Sequence, residues 1–248
     1  SALIVMEYAF EKFPEEYQQS SALLAYLYMR ANKDSKAIKL WKSGMKKGYN
    51  YQLINPVYSE HFADNKDFKK LQNKEIAKLK KSHIKHEIIL PSNYNSSKLY
   101  PVLFIFHGNN RNIEESKKSW LSQGMNDDYI SVFVQSYIHA SKTHYRWTTN
   151  DEKTENEFKD IYNEILTSYP VDTSKVLFSG MSAGGHLVLE LAFKEFVPIS
   201  GVILNCPVIP REISDEQIKQ FIATDKRIGI ITGENDFALA NQKSLITR

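Results

Sequence analysis

Hydrophobic and polar positions change their period once along the chain, near residue 83. Before that point, apolar residues recur at intervals of three and four, as on one face of an α-helix. The pattern predicts helices over 15–30 (starting after Pro14), 35–47 and 64–81, with breaks at Asn32-Lys33-Asp34 and Asn55-Pro56. We therefore expect residues 1–82 to form a small all-α region.

From residue 83 onward, short apolar runs alternate with helical patterns. The runs predict strands over 83–90, 99–106, 130–134, 176–178, 200–205 and 227–232. Helices are predicted between them, over 113–123, 154–169, 187–193, 214–223 and from 237 onward. This alternation predicts an α/β domain over 83–248, a doubly wound and mostly parallel sheet with helices on both faces. In such sheets, ligands bind outside the carboxyl ends of the strands.

One strand end carries the pattern of a nucleophile elbow. Gly180-Met181-Ser182-Ala183-Gly184 lies between the predicted strand 176–178 and the predicted helix 187–193. The motif requires that context, because the serine must sit on a sharp turn from strand to helix. Glycines two positions before and after Ser182 let strand and helix approach closely. The structural alternative is a glycine-rich turn with a capping serine.

A second strand end supplies His107-Gly108-Asn109-Asn110, directly after the apolar run 99–106. A serine that attacks an acyl carbon needs amide donors where the tetrahedral oxyanion forms. We expect one donor to be the N–H of Ala183 and the other to be that of Asn109, with Asn110 as the alternative. His107 is expected to be structural rather than a base, and the whole stretch could also be a plain turn.

A third strand end, Gly233-Glu234-Asn235-Asp236, supplies a carboxylate. Catalytic triads with this elbow occur in the chain order Ser, Asp, His, and Asp236 follows Ser182 in that order. Its role would be to orient a histidine and to stabilise the imidazolium. Glu234 is a rival two residues earlier, and a solvent-facing loop carboxylate is the structural alternative.

These three stretches together resemble the serine esterases of the α/β-hydrolase superfamily. The spacing within 135–185, including Trp147 and the Tyr-Pro-Val-Asp approach to the elbow, is most similar to the phospholipase and carboxylesterase group. The resemblance covers about two thirds of the chain. It implies hydrolysis of a small carboxylic ester through an acyl-enzyme at Ser182, without cofactor or metal. It also implies that Gly108, Trp147 and Met181 contact the substrate.

The resemblance places the catalytic histidine after the acidic residue, yet no histidine follows His186. We therefore expect the α/β domain to be truncated, lacking its last strand and helix, with little or no activity in residues 1–248 alone. The alternative is a catalytically incomplete binding module. Other candidate bases are His186, four residues after Ser182, and His139 and His144 in the loop 136–150.

Composition adds few constraints. The net charge of +3 is too small to favour nucleic acid, and no apolar run reaches membrane-spanning length. Residues 1–82 hold 15 Lys and Arg against 9 Asp and Glu, which fits a solvated, lysine-rich helical surface. Two of these helices resemble a tetratricopeptide-type pair, which implies a protein partner. The single cysteine, Cys206, excludes an internal disulfide, and we expect a cytoplasmic protein.

Overall fold

The computed structural model describes residues 2–13, 17–224 and 226–247, except for the side chains of residues 17–19. Contacts between Cα atoms divide the chain into two compact units. One comprises residues 1–82 with 139–143, and the other comprises residues 83–138 with 144–248. The helix start predicted after Pro14 lies outside the described residues.

The described residues before position 83 form helices joined by short turns, as the apolar spacing predicts. The helices are α1 Ala2–Lys12, α2 Tyr17–Arg30, α3 Asp34–Lys46, α4 Pro56–His61 and α5 Lys66–Lys81. Trp41 of α3 is fully buried, and its ring packs edge-on against Phe62 and at a tilt against Phe68. The break predicted at Asn55-Pro56 starts the short helix α4, because the Asn55 side chain accepts the Val57 N–H and proline is favourable in a first helical turn.

A buried carboxylate organises the connection between α3 and α4. Glu75 of α5 accepts backbone N–H bonds from Tyr51 at 2.8 Å, Gln52 at 3.0 Å and Leu53 at 2.5 Å. Gln52 has a positive φ of 57°, which most side chains avoid. Three charge-assisted bonds to one carboxylate therefore hold a turn that the local backbone preference alone would not select.

The second unit is built on a sheet of six strands in the order β1-β3-β2-β4-β5-β6. The strands are β1 Lys85–Ile89, β2 Tyr100–Phe106, β3 Ile130–Gln135, β4 Val171–Met181, β5 Gly201–Asn205 and β6 Arg227–Ile231. β1 runs antiparallel to β3, and every other neighbouring pair is parallel. The predicted α/β fold with a mostly parallel sheet is confirmed.

Helices cover both faces of this sheet. They are α6 Ile113–Trp120, α7 Gln123–Asp128, α8 Glu152–Ser168, α9 Ala183–Phe193, α10 Asp215–Ala223 and α11 Leu239–Thr247. Phe104, Phe106 and Phe178 meet Phe158 of α8 on one face. Leu103 and Ile105 form a cluster with Ile113 of α6 on the opposite face. The apolar run of β2 is continuous because successive side chains point to opposite faces and both faces are buried.

The order of the strands determines where a ligand site forms. From β2 the chain moves to β3 on one side, and β4 then returns to pair on the other side of β2. The carboxyl ends of β2 and β4 therefore flank the point at which the winding reverses. In open α/β sheets this switch point opens a crevice that binds ligands.

Several boundaries differ from the prediction. The helix predicted over 113–123 ends at Trp120, and α7 follows it as a separate short helix. The elbow strand is longer than expected, starting at Val171 rather than at residue 176. No helix in the described part of the chain is long and apolar enough to cross a membrane.

Candidate active site

Ser182 occupies a strained backbone position between β4 and α9. Its φ of 51° and ψ of −114° lie in a region that favours glycine. Its N–H donates to the Asn205 carbonyl at 3.0 Å, and its own carbonyl accepts from His186 N at 3.0 Å and from Val208 N at 3.3 Å. These bonds to α9, to the last residue of β5 and to Val208 hold the turn in a conformation that costs about 1–3 kcal/mol.

The turn is possible because glycines remove side chains where backbones meet. A Cβ on Gly180 would lie 2.5 Å from the Gly184 carbonyl, and one on Gly184 would lie 2.4 Å from the carbonyl oxygens of Phe106 and His107. A Cβ on Gly108 would lie 3.7 Å from that of Ser182. The turn after β2 and the turn after β4 are therefore in direct backbone contact.

His107 is a structural residue of this contact, as the sequence suggested. It is buried, its Nδ1 lies 2.7 Å from the Gly108 carbonyl, and its Nε2 lies 3.1 Å from Ser136 N. Both contacts are satisfied by the neutral ring with its proton on Nδ1. Burial lowers the pKa of His107 to about 4. The imidazole therefore links β2 to the end of β3 without carrying charge.

Trp147 packs against the ring of His107. The two rings stack at 4.8 Å, and the indole N–H donates to the His107 carbonyl at 2.8 Å. The backbone N–H of Trp147 donates to the side-chain oxygen of Asn109 at 3.0 Å. The predicted oxyanion residue Asn109 and the predicted substrate contact Trp147 are thus bonded to each other.

Three backbone amides are candidates to bind an oxyanion, and they differ in the hydrogen bonds that they already make. The N–H of Asn110 donates to the Tyr145 carbonyl at 2.9 Å, so that amide is occupied. Within the described residues, the amides of Asn109 and Ala183 donate no hydrogen bond. Ala183 is the first residue of α9, where the helix dipole adds positive potential. These two N–H groups could donate hydrogen bonds to an oxygen on which negative charge develops.

A pocket of about 260 Å³ adjoins these amides. Its lining brings together three predicted site residues with five others: Asn109, Trp147, Thr148, Thr149, Ala183, His186, Leu187 and Val208. The predicted contacts Gly108 and Met181 lie beside Ser182 but line a separate, much smaller crevice with Arg111 and Trp120.

Asp236 lies in the turn between β6 and α11. Its carboxylate accepts from Ala238 N at 2.7 Å and from the Gln242 side-chain amide at 3.3 Å. The same amide donates to the Pro207 carbonyl at 2.9 Å, and a Cβ on Gly185 would lie 2.9 Å from the Cβ of Pro207. Gln242, which the sequence analysis missed, therefore connects the turn of Asp236 to the start of α9. The rival Glu234 is exposed.

The other candidate histidines lie in different surroundings. His144 Nε2 is 3.5 Å from a carboxylate oxygen of Glu115. His139 lies among the residues grouped with the helical unit, with Nδ1 3.2 Å from the Ser141 carbonyl. His186 lines the pocket and faces Glu190. In the described part of the chain, no group of three His, Cys, Asp or Glu side chains could hold a metal ion.

Strain at Ser182 predicts an unusual order of stabilities. Ser182→Gly should have a free energy of unfolding about 1–2 kcal/mol above that of Ser182→Ala, because glycine adopts the backbone angles without steric cost. Urea denaturation measures the difference. Gly124 of α7 has open space around it, so Gly124→Ala should instead stabilise by up to about 1 kcal/mol. An alanine at 182 as stable as glycine would show that the turn is unstrained.

The depressed pKa of His107 predicts a pH dependence of stability. The unfolded chain takes up this proton near pH 6.5, whereas the folded chain does so only near pH 4. The free energy of unfolding should therefore fall by about 3 kcal/mol between pH 6.5 and 4 through this group. Denaturation of the protein and of His107→Gln across this range isolates the contribution, since glutamine cannot take up the proton. An equal slope in both proteins would contradict it.

Comparisons with known proteins show what the chain is similar to. Residues 77–197, just under half of the chain, match the family model "Putative esterase". No curated protein sequence matches the chain. Among solved structures, an uncharacterized protein from Bacillus cereus ATCC 10987 is similar with 17% identity and a TM-score of 0.52, over 99% of this chain and 86% of that one.

A ferulic acid esterase is similar with 16% identity and a TM-score of 0.50, over 66% of this chain and 78% of its own. At these identities both structures show a likeness of fold alone. The family match covers β2 and β4, the strands that lead into the turns of Asn109 and Ser182. The second unit therefore has the α/β fold of these structures, and residues 77–197 are similar to an esterase family.

Proposed function

We propose that this protein hydrolyses a small carboxylic ester through an acyl-enzyme on Ser182. The observation that carries the proposal is the position of Ser182 at the switch point of the sheet, on a strained turn beside two unoccupied amides. A strained backbone persists only where the surrounding structure enforces it, and such positions cluster at active sites. The esterase family match supports the same chemical class.

In the proposed reaction, Ser182 Oγ attacks the carbonyl carbon of the ester while a histidine base accepts its proton. The carbonyl π electrons move to oxygen, and the N–H groups of Ala183 and Asn109 stabilise that oxyanion. The intermediate collapses as the C–O bond to the alcohol breaks, and the imidazolium returns the proton to the leaving oxygen. Water then hydrolyses the acyl-enzyme by the same steps.

Asp236 is the proposed partner of the histidine base. Its turn follows β6, and the Gln242 amide bonds both to this carboxylate and to Pro207 beside α9. That connection supports a role at the same edge of the sheet as Ser182. A carboxylate there would fix the imidazole tautomer and stabilise the imidazolium that forms after proton transfer.

The pocket beside the amides limits the proposed substrate. Its volume of about 260 Å³ lies below the range of about 300–1,000 Å³ typical of sites for drug-sized ligands. Trp147, Leu187 and Val208 contribute apolar surface. We therefore propose an ester whose acyl or alcohol group is compact. The connection between β5 and α10 spans only residues 206–214, which supports an open site without a lid inserted there.

The nucleophile is tested by covalent labelling. A fluorophosphonate should phosphonylate the intact protein on Ser182 with loss of fluoride, and Ser182→Ala should abolish the label. Ser174→Ala is a matched control, because Ser174 is an exposed residue near the opposite end of the same strand, where its side chain donates to the partly buried Asp172. Mass spectrometry of the labelled peptide gives the readout. An unlabelled native protein, or a label that survives Ser182→Ala, would sink the proposal.

The acid is tested by a matched pair of carboxylates two residues apart. Asp236→Asn should lower kcat for a p-nitrophenyl ester by about a thousandfold or more, because the amide favours the wrong histidine tautomer. Glu234→Gln should change kcat by no more than about twofold, since that side chain is exposed. Similar losses in both variants, or a loss at Glu234 alone, would contradict the assignment of Asp236.

A further inference from the structure

One wall of the pocket beside the proposed oxyanion hole contains a histidine that faces a carboxylate. His186 and Glu190 lie one turn apart on α9, and their side chains are only 14% and 6% exposed. His186 Nε2 lies 3.4 Å from Glu190 Oε1 and is buried without a hydrogen bond. The ring itself lines the pocket together with Trp147 and Leu187. A polar side chain is thus placed in a wall that is otherwise mostly apolar.

Glu190 is fixed from its other side. Its second oxygen accepts the Asn150 N–H at 3.4 Å, and the side chain of Asn150 in turn accepts from Lys194 at 3.1 Å. Lys194 also pairs with Glu155 of α8 at 2.5 Å. The carboxylate that faces His186 is therefore held by Asn150, which directly follows the pocket-lining residues Thr148 and Thr149.

The position of Glu190 selects a tautomer of the neutral ring. A proton on Nε2 faces Glu190 Oε1, whereas a lone pair there would face that carboxylate oxygen unfavourably. The remaining nitrogen, Nδ1, is then unprotonated and can accept a hydrogen bond. Nε2 is the buried nitrogen and His186 lines the pocket, so we infer that Nδ1 is the nitrogen that a bound molecule would reach.

We propose that His186 Nδ1 is a specificity subsite that accepts a hydrogen bond from a hydroxyl group on the substrate. The inference rests on the proposed function, because it assigns this pocket to one side of the scissile ester. An engineered apolar cavity of about 150 Å³ holds benzene, so a pocket of about 260 Å³ accommodates one ring with a polar substituent. The ligand class is a hydroxylated, ring-sized ester.

The hydroxyl could belong to the acyl or to the alcohol part, and two sets of ligands distinguish them. The acyl set is methyl phenylacetate with its 4-hydroxy and 4-methoxy derivatives. The alcohol set is phenyl acetate with the same two derivatives. Binding is measured on intact Ser182→Ala protein, which cannot turn over, by NMR titration with ¹⁵N-labelled histidine. A methoxy group matches the size of the substituent and cannot donate.

We expect the hydroxy ester of one set to bind about three- to tenfold more tightly than its unsubstituted and methoxy partners, the range of one net hydrogen bond. The free protein should show His186 with its proton on Nε2, and the Nδ1 resonance should shift on binding. Equal affinity within both sets would overturn the proposal. A proton on Nδ1 in the free protein would also overturn it.

Variants of the pair separate hydrogen bonding from packing. His186→Phe keeps a ring without an acceptor, so the preference for the hydroxyl should disappear. His186→Asn can present an oxygen near the place of Nδ1, so part of the preference should return. Glu190→Gln should remove the bias toward the Nε2 tautomer. A preference that persists in His186→Phe would assign recognition to Thr148, Thr149 or another group and overturn the role of His186.

Fluorophosphonate labelling distinguishes a failure of the His186 subsite from a failure of Ser182 as nucleophile. A hydroxyl preference in a protein that fluorophosphonate does not label would support the subsite and reject Ser182 as nucleophile. Labelling of Ser182 with no hydroxyl preference would retain the nucleophile and reject the subsite. Loss of labelling in both His186→Phe and His186→Asn, with unfolding unchanged, would identify His186 as the base and overturn the subsite.

Discussion

The second unit depends on a contact between two backbones, the turn after β2 and the turn after β4. Gly184 lies against the carbonyl oxygens of Phe106 and His107, where even a methyl group would not fit. This contact sets the distance between Ser182 and the amide of Asn109. Because the two turns are so close, the chain passes from β4 to α9 through the strained backbone angles of Ser182. Close backbone packing, rather than a network of charges, is what brings the proposed nucleophile and the two unoccupied amides together.

Much of this arrangement could be predicted because its signals are local. The central strands β2 and β3 are short apolar runs with both faces buried, and the elbow is a five-residue pattern in a recognisable context. The boundaries were less accurate. α7 and the first residues of β4 depend on packing partners far away in sequence, and α4 begins at a proline that had predicted only a break.

The missed residues share one property, which is that their partners are distant in sequence. Gln242 bonds to Pro207, 35 positions earlier, and Thr148 and Thr149 meet α9 only in the folded chain. The spacing of His186 from Ser182 shows that they share a helix, but not that its ring lines a pocket and faces a carboxylate. In the helical unit, Glu75 is similar: a lysine-rich stretch gave no sign of a fully buried acid. The tetratricopeptide-like character of that unit stays a prediction.

The side chain of Asn109 has a consequence for how this protein could change during evolution. It holds the backbone of Trp147, while the N–H of the same residue is a proposed oxyanion donor. Trp147 in turn holds the carbonyl of His107 through its indole. Substrate selectivity and turnover would therefore depend on the same hydrogen bonds between Asn109, Trp147 and His107. Mutational drift that reshapes the wall at residues 147–149 would also disturb the donor, so new ester preferences are more accessible from the side of Val208 and Leu187.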